Sequence, residues 1–371
     1  MDLRLYAIVL FILLGSLLSL GCSSSPKATN VGLQPRHGDE IVVAGQYYRI
    51  GTPVVLWSDQ GGYDAYRVER RFAPWEEASW EATARAMEAG KIDFVSSNQQ
   101  FVPNRFGLRF ARTATAVYSP EQLDQVRGGG WDLPLLQQKV DQFVIHYDVC
   151  PTSEICFKVL HDMRGLSVHF MLDVDGTIYQ TLDLKERAWH AGISNDRSVG
   201  IEIANMGSYA TGETPAQLLR YYKADESGQI RLTLPDNLRK NLRNPGASLT
   251  PVRNELIVGE VQGTTRRQYD FTAEQYAALI KLTAALGDIF PQIKLDYPRG
   301  EDGKLLPVAL SPEQFASYQG VLGHWHVTDQ KQDPGPAFQW DYVLDNARKM
   351  LDQRRGRTGV PAMTEPQAAV Q

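Results

Sequence analysis

Two short runs constrain this chain more than anything else in it: Phe143-Val144-Ile145-His146 and Ser198-Val199-Gly200-Ile201-Glu202-Ile203-Ala204-Asn205. The first is apolar and β-branched, so it reads as a buried strand. The second alternates, with Val199, Ile201 and Ile203 on one face and Gly200, Glu202 and Ala204 on the other. A lone carboxylate is ordinarily a surface residue, so Glu202 in such apolar company needs a chemical reason. His146 closes the first run, and a strand end is a rigid mount for a ligand.

A third segment supplies more of the same chemistry. Gly323-His324-Trp325-His326-Val327-Thr328-Asp329-Gln330-Lys331-Gln332-Asp333-Pro334-Gly335 packs a histidine, a lysine and an aspartate into a turn-rich loop. Such a loop can offer two ligands to one metal ion and a cation beside it, and His146 is the best candidate for the third ligand.

Between these segments come Ser167-Val168-His169-Phe170, then Asp173-Val174-Asp175-Gly176-Thr177-Ile178-Tyr179-Gln180, then Trp189-His190-Ala191-Gly192. In this order the set resembles the zinc-dependent N-acetylmuramoyl-L-alanine amidases of the type 2 family, relatives of the peptidoglycan recognition proteins. The resemblance covers roughly residues 136–350, with an insertion at about 206–271. It implies an α/β fold, a mixed central β-sheet flanked by helices. It also implies that His146, His324 and Asp333 ligate Zn2+, that Glu202 is the general base, that Lys331 stabilises the oxyanion, and that His190 and Asn205 contact substrate, with a role behind the ligands or a structural one open for His190.

The chemistry agrees with those roles. Three protein ligands leave a fourth position on zinc open for water, whose pKa the metal lowers to about 7. Glu202 can take its proton and pass it to the leaving nitrogen, while Lys331 faces the developing oxyanion. The residues themselves argue for metal-assisted amide hydrolysis. Only the resemblance names the bond, that between the lactyl group of N-acetylmuramic acid and L-alanine in peptidoglycan or muropeptides. The alternatives are a non-catalytic peptidoglycan-binding protein on the same fold and a zinc hydrolase acting on another amide.

His326 competes with His324, because the loop from histidine to aspartate is a residue shorter than usual in the bacterial enzymes. His324 is preferred because Gly323 precedes it as in the family pattern. His169 reads as a packed framework residue and His161 as a solvated one on a helix. Asp173 and Asp175-Gly176 read as hairpin formers.

The chain opens with an apolar stretch from Leu5 to Leu20 and then Gly21-Cys22-Ser23-Ser24-Ser25. That is the shape of a bacterial lipoprotein signal over 1–21, with Cys22 lipidated and 22–40 a tether. An uncleaved membrane anchor is the rival. Either reading puts the rest outside the cytoplasm; the lipoprotein reading makes it lipid-anchored in the bacterial envelope, facing the periplasm from the outer membrane. Cys150 and Cys156 then resemble the short disulfide loop of the recognition proteins, with a metal role as the alternative.

Residues 41–135 form an N-terminal extension or small module, with strand-like runs Ile41-Val42-Val43 and Val54-Val55-Leu56-Trp57. Helix starts are written at Ser119-Pro120-Glu121-Gln122, Thr272-Ala273-Glu274-Gln275 and Ser311-Pro312-Glu313-Gln314. The second opens a helix whose Tyr276, Leu279, Ile280, Thr283, Leu286 and Ile289 share the face that covers the sheet. Residues 351–371 read as a disordered tail. A net charge of −5 and the absence of any basic stripe give no support to nucleic-acid binding. Arg127-Gly128-Gly129-Gly130-Trp131 lacks the spacing and lysine of a phosphate loop.

Overall fold

The buried runs assemble as strands of one sheet. In the computed structural model, which describes residues 36–68, 106–107, 132–212 and 215–356, six strands pair. They are β1 (Val54–Leu56), β2 (Gln142–Tyr147), β3 (Phe170–Leu172), β4 (Ile178–Gln180), β5 (Ser198–Ile203) and β6 (Gly320–Gly323), in spatial order β6-β2-β5-β3-β4-β1. Every neighbouring pair is parallel except β3–β4. That exception is the hairpin written at Asp175-Gly176: Gly176 takes φ +83°, and its N–H donates to Asp173 O at 3.0 Å. Asp173 Oδ1 accepts from the N–H groups of Ser153 and Val174, so this carboxylate is a turn former.

The two sheet faces have different fates. Phe143, Ile145, Val199, Ile201 and Ile203 point into the main core. There they meet helix α2 (Ala273–Ile289) and helix α3 (Trp340–Arg354), which pack against each other. Thr272 caps α2 by accepting from Gln275 N–H while Gln275 reaches back, and Ser311 with Gln314 repeats the device on Pro312–Ser317. Tyr276, Leu279, Ile280, Leu286 and Ile289 of α2 are buried in that core, where each large side chain is worth about 1.5–3 kcal/mol of transfer free energy. The opposite face carries Val144, His146, Gly200 and Glu202. Part of that face, around Met171 and Tyr179, packs against α1 (Ser153–Phe157), which runs on as a π-helical stretch, Lys158–Met163, while Val144 packs with Ala191, Phe315, Leu322 and Val327.

The described part of the N-terminal extension is built into this domain. Ile41 and Val43 are fully buried in the main core, and the Val42 N–H and C=O both bond the Gln180 side chain, at 2.7 and 2.8 Å. β1 completes the sheet edge. Ala65 O accepts from His161 Nε2 at 3.1 Å, and the His161 ring stacks on Phe157. His161 is therefore buried, not solvated as its helical setting suggests, because a distant segment folds over it.

The insertion packs a small cluster around Leu218, Tyr222, Leu232, Leu242 and Leu249 onto Val174 and Ala204 of the sheet domain. It contains the hairpin Tyr222–Ala224/Ile230–Leu232 and the strands Tyr209–Ala210, Thr264–Gln268 and Ile257–Val261. No helix among the described residues is long and apolar enough to cross a membrane. The signal segment with Cys22, the helix start at Ser119, the run at Arg127 and the tail beyond residue 356 lie outside the described residues.

Candidate active site

The parallel pairing of β2 and β5 sets His146 opposite Glu202 in register, on the face turned away from α2 and α3. β6 lies on the other side of β2 and ends at Gly323, so His324 emerges at the same carboxyl-terminal edge of the sheet. Gly323 has no room for a side chain, because a Cβ there would meet Pro334 Cδ at 2.8 Å. That close approach brings the Asp333 end of the loop back over the strand.

The result is a triangle of donor atoms. His146 Nδ1 lies 2.9 Å from His324 Nδ1 and 2.8 Å from Asp333 Oδ2, and His324 Nδ1 is 3.0 Å from the same oxygen. All three residues are buried. Two imidazole nitrogens and a carboxylate oxygen converging this closely suit one divalent cation, and His/His/Asp is a donor set that zinc takes with a fourth position left open. Burial, with His324 next, pushes His146 down to about 4, so its ring is neutral and its lone pair available at neutral pH. Burial pushes the Asp333 carboxyl up, but His324 and His146 more than offset it and hold the group well below the usual range.

His190 holds His146 in place. Its Nδ1 lies 2.9 Å from His146 Nε2, and its Nε2 is 3.1 Å from Ser198 Oγ. The ring fills the space above Gly200, where a Cβ would stand 2.4 Å from Nδ1. His190 also lines the pocket, but both ring nitrogens are occupied by protein groups, which makes it a support for His146.

Asn205 does not meet the pocket. It is 3% exposed, its Oδ1 accepts from Gly207 N–H and Gln268 Nε2, and its Nδ2 donates to Tyr269 O. These protein partners give the Asn205 amide a framework role in this structure. Its position just beyond β5 hides this, since the partners belong to the inserted segment.

Glu202 is 8% exposed, and its Oε2 has no hydrogen-bond partner among the described residues. Burial, reinforced by Asp333, drives its pKa well above the ordinary carboxylate value, against the pull of Lys331. An orphaned buried carboxylate costs free energy and is characteristic of working sites. Lys331 lines the same pocket, and its ammonium has no hydrogen-bond partner among the described residues.

His326 is excluded from the ligand set by its partners: Nδ1 accepts from Gly323 N–H at 2.9 Å and Nε2 donates to Leu306 O at 2.8 Å. Burial pushes it down to about 3. His169 likewise has both nitrogens engaged, by Gly200 N–H and Glu186 O.

The expected disulfide is not formed. Cys150 and Cys156 are both free and buried, their sulfurs joined by a thiol hydrogen bond. A disulfide needs sulfurs about 2.05 Å apart at a near-perpendicular dihedral, which sequence spacing alone does not guarantee. Here Cys150 follows Val149 in the left-handed region (φ 55°), and Cys156 rides on α1.

The pocket has a volume of about 840 Å³. Arg164, Asn195 and Gln330 line it too; sequence reasoning assigns none of them a role, although Gln330 lies inside the Gly323–Gly335 loop. Asn195 Oδ1 accepts from the N–H groups of His190 and Ala191, fixing the loop that carries His190. No described residue of 206–271 lines this pocket, although the insertion starts just after β5.

The family model for N-acetylmuramoyl-L-alanine amidase (Amidase_2) matches residues 136–336. The 1,6-anhydro-N-acetylmuramyl-L-alanine amidase AmpD of Haemophilus influenzae is 25% identical over 174 residues, 44% of this chain and 77% of that protein. A peptidoglycan-recognition protein of Drosophila melanogaster is 31% identical over 100 residues, 24% of this chain and about half (54%) of its own length. The solved complex of the N-acetylmuramyl-L-alanine amidase AmiD from E. coli with anhydro-N-acetylmuramic acid-L-Ala-D-gamma-Glu-L-Lys is 19% identical, with a TM-score of 0.30, over 63% of this chain and 60% of that one.

Proposed function

This chain belongs to the N-acetylmuramoyl-L-alanine amidase family, type 2, and from that membership we propose that it is zinc-dependent and cuts the amide between N-acetylmuramic acid and L-alanine with Glu202 as general base. The observation that carries the reading is the pairing of a converging His146/His324/Asp333 triangle with an unpartnered buried carboxylate one strand away.

Zinc held by His146, His324 and Asp333 would supply Lewis acidity and a more acidic water. Glu202 accepts the proton of the attacking water and returns it to the leaving amide nitrogen. Burial and then Asp333 raise its pKa above the ordinary carboxylate value, the direction that favours returning the proton to the leaving nitrogen. Lys331 sets a positive charge beside the carbonyl oxygen as it becomes an oxyanion. His190 keeps His146 turned so that Nδ1 faces the other ligands.

The test is incubation with muropeptides, with added zinc and with chelator, products being identified by mass spectrometry beside Glu202→Ala. Free peptide beginning at L-alanine, lost with chelator and in the variant, supports the reading. Intact muropeptide with retained binding would make the protein a non-catalytic recognition protein. Our reading also takes the protein as a lipoprotein of the bacterial envelope, supported by the Leu5–Leu20 apolar run before Gly21-Cys22. Fatty-acid labelling that persists in Cys22→Ala would sink that part.

A further inference from the structure

On the far side of α1 from the catalytic pocket lies a second groove, of about 860 Å³. The same helical segment serves both: Cys156, Val159 and Leu160 line the catalytic pocket, while Glu154, Phe157 and Lys158 line the second groove. Its other walls come from outside the zinc-site elements. Gln60 to Tyr63 belong to the N-terminal extension, and Lys240 to Arg243 belong to the insertion. The two are tied together where Arg243 donates to Gln60 O.

The lining has a definite chemistry. Lys158, Lys240 and Arg243 face a single carboxylate, Glu154. Both oxygens of Glu154 are already taken, Oε1 by Lys158 at 2.6 Å and Oε2 by Asn241 at 2.8 Å. Among the described residues the Lys240 ammonium has no ion-pair or hydrogen-bond partner, while its backbone N–H donates to Asp236 O, and Arg243 has no carboxylate partner. The groove is left net positive. Its floor is aromatic: the Tyr63 ring stacks on Tyr179 at 4.1 Å and on Phe157 at 5.2 Å, and it lines the groove half-buried. Unneutralised cations beside an aromatic surface recognise carboxylate-bearing ligands with a flat or sugar-like body.

We propose that this groove is a second, non-catalytic binding site for a carboxylate-bearing stretch of glycopeptide polymer. Resting on the amidase reading, it would hold a neighbouring part of the same peptidoglycan whose amide is cut on the other side of α1. A small soluble fragment engages only the catalytic pocket, whereas a polymer engages both, and the second contact acts through effective concentration.

The experiment uses the full chain carrying Lys240→Glu, alone and with Arg243→Glu, each checked by its melting temperature. In a Glu202→Ala background, pelleting with insoluble sacculi reads binding without cleavage. In the active background, kcat/KM is compared between sacculi and a single soluble muramyl peptide. The double variant should weaken pelleting about fivefold, on the scale of surface charge pairs, with a matching fall in the sacculi-to-fragment ratio of kcat/KM. Raised salt should weaken the native protein's pelleting and leave the variant's little changed. Unchanged pelleting and an unchanged ratio would overturn the proposal. Failure of the native protein to cleave either substrate would instead strike the amidase reading, with the pelleting assay still reporting on the groove.

Discussion

Removing the support behind His146 should be felt as lost metal affinity before it is felt as lost fold. His190→Ala deletes the partner that stands 2.9 Å from His146 Nε2, leaving that ring free to rotate and its tautomer unfixed. Loss of such a supporting hydrogen bond typically costs about 10- to 100-fold in metal affinity, or about 1.4–2.7 kcal/mol. Gly200→Ala reaches the same endpoint without touching a polar group. Its Cβ would stand 2.4 Å from His190 Nδ1 and 2.5 Å from Cε1, so the ring must retreat by about 1 Å to reach ordinary contact, which breaks the bond to His146. Zinc competition against a chromophoric chelator at fixed pH measures the effect, with melting of the metal-free proteins as the control for folding. Both variants should bind zinc at least tenfold more weakly. If both bind within twofold of the native protein, the support role is wrong, and the His146–His190 contact is mere packing.

Other outcomes can be checked with less labour. Glu202→Gln should lower kcat by about 10²–10⁴ while zinc stoichiometry holds, and its melting temperature should be equal or higher because an unpartnered buried acid is replaced by a neutral amide. Lys331→Ala should lower kcat/KM by about 10²-fold, as loss of one oxyanion-stabilising group does, without releasing zinc. Asp173, pushed by burial and then by Asp175 up to about 7, holds its proton in the folded state after the unfolded chain has lost it. Its contribution is therefore complete below about pH 4 and is lost as pH rises through about 7, a span of up to about 4 kcal/mol that Asp173→Asn should flatten in denaturant titrations across pH. Chelation of the loaded protein should abolish hydrolysis and lower its melting temperature, and zinc should restore both.

Much of the site is legible in short windows because it sits on strands. Alternation alone puts Glu202 on the face opposite Val199, Ile201 and Ile203, and the apolar run ahead of His146 places that histidine near a strand end. Choosing His324 over His326 needs the family pattern, and the structure gives the reason in His326's two bonds to Gly323 and Leu306. What escapes the sequence is long-range pairing. Ala65 covering His161, Val54–Leu56 joining Ile178–Gln180, and Asn205 being claimed by Tyr269 and Gln268 all join residues dozens of positions apart. Cys150 and Cys156 fail for a different reason: spacing brings two thiols close but does not set the sulfur geometry. His190 is visible as a pocket residue, but its target is not, because nothing in Trp189-His190-Ala191-Gly192 points to His146.

The two-faced packing of β2 and β5 also limits how this protein can vary. Along a strand the side chains strictly alternate, so deleting or adding one residue within Gln142–Tyr147 would present Ile145 or Tyr147 to the pocket and drive the histidine against α2. Catalysis and core would fail together, from a change that removes no functional group. The loops carry no such parity, and the long insertion after Asn205 leaves the pocket lining untouched. Length variation among natural or engineered relatives should therefore collect between strands and be purged within them, which gives a deletion scan a sharp odd-residue signature at β2 and β5.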